Sequence, residues 1–240
     1  MLLAVMLRNS VSLLFFILWI EGSFAQNTSA DPVGVVQITY AENIFYNALG
    51  IQSPLYSGKE YIDVNRSKGH PFFISNQFTP ATIYYDDLVF RDIPVLYDIV
   101  RDELVLRNHK DQEMFVLNPL KLEAFTFHGH RFINKLPDPA TEIPPGIYEI
   151  IHEGKILALA RRRKVIDEKV SMVVTREVVQ KDIYYLIMGG KTHQVNSQRQ
   201  LLRIFDGKRE AVRDQLRRHK VTFKRQPEAA LKHAASINEN

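Results

Sequence analysis

No cysteine occurs among the 240 residues. That absence excludes a disulfide framework, thiol catalysis, thiolate metal sites and a lipid anchor on an N-terminal cysteine. Glycine-rich phosphate loops are missing too, as neither the dinucleotide fingerprint nor the P-loop pattern can be read anywhere. No G-x-S-x-G, S-x-x-K or H-E-x-x-H occurs, nor the D-x-D-x-D-G of a calcium loop. Triads assemble in space, so these gaps count against an enzyme without closing the question. Long apolar runs are scarce. Val11 to Ile20 is ten residues, and Arg8 and Glu21 bracket only twelve positions, whereas a spanning helix needs about 20.

That same run, after Arg8 and before Ser23 and Ala25, has the form of a secretory signal peptide. Residues 1–25 are expected to be cleaved before Gln26, leaving no transmembrane helix, with Met6 as a second candidate start. The expected destination is the periplasm or the cell surface. At 45% hydrophobic and 24% charged over its full length, the chain reads as globular, with a core of its own beyond Gln26.

Beyond Gln26, short β-branched and aromatic runs are separated by Asp, Gly and Asn. TIYY meets LVF across Asp86-Asp87; IPVLYDI precedes ELVLR and EMFVL; KLEAFTF faces RFINK; GIYEIIH meets ILALA; IYYLIM meets THQV. Short loops of these residues permit the positive φ of tight hairpins, so the pattern predicts an antiparallel meander rather than β-α units. Near the end, Leu201, Phe205, Val212 and Leu216 form a helical stripe interrupted at Asp206-Gly207, and Pro227 suits the first position of a final helix. The expected fold is α+β, mainly an antiparallel β meander or sheet with short C-terminal α-helices. Its parts are an acidic β-rich region at 26–136, a Pro-rich connection at 137–146 and a basic region at 147–240. From Gln26 to Pro145, 10 Lys+Arg stand against 15 Asp+Glu, and from Gly146 to Asn240, 20 against 11. This charge reversal favours two lobes over one sheet with a long loop.

SFAQ, GHPFF, the YYDD…VLYDI…DELVLR series, GHRFI and the ending LLRIFDGKREAVRDQLRRHKVTFKRQPEAAL resemble uncharacterised exported proteins common in Bacteroidota. The resemblance covers most of the chain beyond the signal. It implies a Gram-negative envelope setting and brings no site residues.

Three clusters carry chemistry. His128-Gly129-His130 offers two imidazoles in the spacing of metal ligands, with His70, His109, His152 and Glu123 as third candidates. The competing expectation is a turn at Gly129 that leaves both rings at an exposed hairpin end. Asp86, Asp87, Asp92, Asp98, Asp102 and Glu103 could pair as glycosidase carboxylates, but Asp86, Asp87 and Asp102 fall where turns need aspartate anyway. Arg161, Arg162 and Arg163 begin a basic run ended by Lys164, while Arg209, Arg213 and Arg217 are spaced to share a helix face. These six arginines are the candidate anion- or partner-binding residues, against the plainer reading of a solvated face. The sequence therefore reads as a non-enzymatic binding or structural module of the envelope. The expected partner is an envelope protein or an acidic surface, with no cofactor and no nucleic acid. Anionic-polymer or membrane-surface binding and a metal-dependent hydrolase are the alternatives.

Overall fold

Two-residue turns set the framework of this chain. The computed structural model describes residues 54–63, 67–107, 113–139, 142–170 and 174–238, and the expected signal segment lies outside them. The strands are β1 (Lys59–Glu60), β2 (Thr79–Tyr85), β3 (Leu88–Asp98), β4 (Glu103–Arg107), β5 (Met114–Val116), β6 (Leu122–Phe127), β7 (His130–Lys135), β8 (Gly146–His152), β9 (Ile156–Arg161), β10 (Lys164–Val170), β11 (Val174–Gln180), β12 (Ile183–Met188) and β13 (Lys191–Val195). Helices α1 (Gln198–Ile204), α2 (Arg209–Arg218) and α3 (Pro227–Ala235) follow. Asp86-Asp87, at φ 55° and 62°, and His128-Gly129, at 51° and 78°, join their strands as left-handed pairs. Such turns match the right-handed twist of the strands they connect.

Eleven strands form one antiparallel sheet in the order β1-β5-β4-β3-β2-β6-β7-β8-β9-β12-β13, while β10 and β11 form a separate two-stranded sheet. The expected α+β class, a β meander with short C-terminal helices, is what the chain adopts. β7 and β8 lie on either side of the Pro-rich stretch and are direct neighbours in the sheet, with Phe132 opposite Glu149. LVF and IPVLYDI, separate runs in the sequence, are one strand. Pro94 is tolerated inside β3 because the ladder to β4 ends at Val95, and a bulge near Asp92 (φ 57°) absorbs the irregularity.

One face of the sheet holds two apolar cores. The first packs Phe73, Tyr97, Phe125 and Phe132, with the Phe125 and Phe132 rings stacked at 4.7 Å. The second lies under the helices, where Leu201, Phe205, Val212 and Leu216 are buried with Ala230, Leu231 and Ala234. The expected interruption is present, as α1 ends at Ile204 and a 3-10 turn at Asp206–Lys208 precedes α2. Pro227 is at the start of α3, where its missing N–H has no helical partner to lose.

Candidate functional site

The β10–β11 hairpin leaves the body as an arm between β9 and β12. Its root is tied by five backbone and side-chain contacts. The Lys164 N–H donates to Ile99 O at 3.0 Å, Lys68 N–H to Arg176 O at 2.8 Å, and Val178 N–H to Lys68 O at 3.0 Å. The Lys164 ammonium donates to the carbonyls of His70 and Phe72. Burial lowers its pKa, against the attraction of Asp182 and Asp98.

Between arm and body lies a cleft of about 300 Å³, in the lower range of small-ligand sites. Tyr61, Pro71, Val100 and Arg101 form the body wall, and Ile166, Arg176 and Val178 the arm wall. At its base the Tyr61 hydroxyl donates to Asp98 Oδ2 at 2.8 Å. Asp98 Oδ1 accepts the N–H groups of Val100 at 2.8 Å and Arg101 at 3.0 Å, as an aspartate does in a turn. Burial, with the Asp98 bond behind it, pushes the Tyr61 hydroxyl well above its ordinary pKa. The Arg101 guanidinium sits 5.1 Å from the Tyr61 ring centre and donates to Ile62 O. A protonated tyrosine and a carboxylate already holding three donors are poor general bases.

The neck of the arm is closed by charge. Arg162 is only 4% exposed, and its guanidinium meets Glu149 of β8, Asp182 before β12 and Glu228 of α3, the last two at 2.7 Å. Burial opposes that charge, and the three carboxylates outweigh it, so the pKa stays above the usual arginine value. Glu149 also meets His130 Nδ1 at 2.6 Å.

The structure scatters the residues singled out in the sequence. Of the basic run, Arg162 is in this buried hub, and Arg161 donates to Asp102 at 3.1 Å. Lys164 anchors the arm, and Arg163 is the exposed member. Arg209, Arg213 and Arg217 are exposed on α2, each bonded to the acidic residue one turn before it: Asp206, Glu210 and Asp214. Each guanidinium on that face is thus already neutralised locally.

His128-Gly129 is the turn, but its histidines do not end up exposed as the turn reading expects. The His130 ring packs edge-on to Phe73 at 5.2 Å, and His128 Nε2 is buried without a hydrogen-bond partner. The reason is that His130 already belongs to β7, facing the core and Glu149. Among the described residues no group of three His, Cys, Asp or Glu is placed to hold a metal. His109 lies outside the described residues.

α2 and α3 meet through two stacked imidazoles, His219 and His233, 4.1 Å between ring centres. Burial, then the charges of His219 and Lys232, lowers the His233 pKa; burial and Lys164 lower that of His70. Both groups resist protonation when folded, so the unfolded chain binds more protons once the pH drops below its histidine pKa of about 6.5. Their stability contribution is complete above that value and declines as pH falls through it. A melting series from about pH 7.5 to 5.5 is expected to show falling midpoints, flattened in His70→Gln/His233→Gln. An unchanged slope in that variant would refute the assignment.

Sequence reading missed the arm and the neck. KVIDEKV and VTREVVQ carry β-branched residues at strand density, but charge on both faces obscures the two-residue period. Glu149 and Asp182 give no local signal, because only the sheet brings them to Arg162. Among the described residues, no helix is long and apolar enough to cross a membrane. Comparison with known proteins finds no matching family model, no matching curated protein and no matching solved structure.

Proposed function

We propose that this chain is a non-enzymatic binding module of the bacterial envelope that grips an extended segment of a partner protein between its arm and its body. The observation that carries the reading is the cleft. Its walls are apolar at Tyr61, Pro71, Val100, Ile166 and Val178 and carry charges of both signs at Asp63, Arg101 and Arg176, the last paired with Glu168. The polar groups at its base are saturated by one another. Apolar walls with a few placed charges suit an extended peptide, whose alternate side chains enter the cleft while its backbone stays near the rim. Export rests on the residues before Gln26, and the envelope setting on the Bacteroidota resemblance.

The test is a photo-crosslinking residue at Val100 of the exported protein in its own host, with the same residue at Leu120 as a surface control. One discrete adduct specific to position 100, lost in Ile166→Arg, is expected. Equal labelling from both positions would overturn the reading, as would steady turnover of a substrate by the purified protein.

A further inference from the structure

We infer that β10 is the interface through which two copies of this chain pair, edge to edge and antiparallel, into a four-stranded sheet. The inference rests on the backbone of the arm and not on the cleft's occupant, although Ile166 belongs to both. It starts from the direction of the arm's backbone groups. Arg176 O and Val178 N bond to Lys68, outside the hairpin, and Lys164 N bonds outward to Ile99. Lys164, Ile166, Glu168 and Val170 are opposite Gln180, Val178, Arg176 and Val174. Residues directly opposite in an antiparallel pair point their backbone groups the same way, both inward or both outward. Ile166, Glu168 and Val170 therefore direct their N–H and C=O groups away from β11. Among the described residues β10 has no second strand beside it. Such an edge is a template for another strand.

The sequence along the edge is complementary to itself. In an antiparallel pair of β10 strands centred on Glu168, Ile166 is opposite Val170 of the second copy, and Asp167 is opposite its Lys169. Each outward-facing residue then exchanges both backbone hydrogen bonds with the residue across from it. On one face the rows read Val178, Ile166, then Val170 and Val174 of the copy. That covers three of the exposed apolar side chains, Ile166 at 49%, Val170 at 78% and Val174 at 52%. In the central row the two Glu168 side chains meet, and each is already neutralised by Arg176 at 2.7 Å. On the other face Asp167 stands directly opposite Glu177 within the hairpin, an unfavourable like-charge pair. Lys169 of the second copy falls beside Asp167 and offsets it. Shifting the register by one residue loses all of these matches and turns the outward groups against inward ones. The arrangement is a closed two-fold contact, so it stops at a dimer.

Sedimentation of the full exported protein tests this directly. Twice the chain mass is expected in the micromolar range. Lys169→Asp places like charges opposite each other at two symmetric positions and should weaken association at least about tenfold. The swap Asp167→Lys/Lys169→Asp restores the pairing, and with it the dimer. Glu168→Pro removes a central donor that faces away from β11, which an edge strand tolerates, and should give a folded monomer by circular dichroism. A monomer mass for the unaltered protein up to about 100 µM would overturn the inference. So would a dimer indifferent to Lys169→Asp and Glu168→Pro.

Discussion

Arg162→Ala should cost about 3–5 kcal/mol of folding free energy and lower the melting midpoint by about 10 °C. The magnitude follows from what remains. Glu149, itself 4% exposed, and Asp182 would stay in the neck facing each other with the balancing cation gone. Removing one partner of a buried ion pair leaves the other's desolvation uncompensated, which is why the loss exceeds the net worth of the pair. Replacing the set by apolar groups of similar size should behave differently. Arg162→Met/Glu149→Leu/Asp182→Leu is expected to recover most of the loss, because the carboxylate that remains, Glu228, is half-exposed and stays solvated. Urea and thermal unfolding of the two variants separate these effects. A single alanine variant within about 1 kcal/mol of the parent would show that the neck carries far less than its geometry implies.

Gly146→Ala is the second large effect, expected at about 3 kcal/mol. Gly146 has φ 141°, where a side chain is strained, and an added Cβ would lie 2.6 Å from Asp102 Oδ2 and 2.5 Å from Arg161 Nη2. Both atoms belong to a polar knot. Asp102 accepts from the Tyr97 hydroxyl at 2.7 Å, from Ile147 N–H at 3.2 Å and from Arg161. Tyr97 is fully buried, and burial, with Asp102 beside it, holds its hydroxyl protonated. The knot brings the turn after β3 across to the start of β8, so the added methyl must displace a contact that closes the sheet over its first core. Strain and displacement can be told apart. In an Asp102→Ala background Gly146→Ala should cost clearly less than in the parent, leaving about the 1–3 kcal/mol of backbone strain. Additive losses would mean that the knot does not share the burden.

Turn chemistry was the legible part of this fold. Asp86-Asp87 and His128-Gly129 announce their hairpins because few residue types accept positive φ, and Pro227 announces a helix start for an equally local reason. The α1–α2 stripe was legible too, since Leu201, Phe205, Val212 and Leu216 repeat at the helical period. Neighbouring arginines gave no such guide. Arg161, Arg162 and Arg163 are alike in sequence, yet alternate pleat directions and the end of β9 send them to Asp102, to the neck and to solvent. Burial of a charge depends on carboxylates supplied from distant strands, here Glu149 and Asp182, and no local spacing encodes that meeting. The cleft was illegible for a related reason. Its two walls come from segments far apart in sequence, Tyr61 to Arg101 and Ile166 to Val178, and Lys68 bonded to β11 helps hold them face to face.

β9 and β12 are themselves neighbours, with Arg161 directly opposite Ile183. The arm is thus an excursion inserted at the end of an ordinary hairpin, and the sheet's register is the same on both sides of it. Lengthening, trimming or exchanging the arm leaves the scaffold's strand order untouched. The arm can therefore change as a single appendage, while Arg162 and Asp182 keep the socket into which each version plugs.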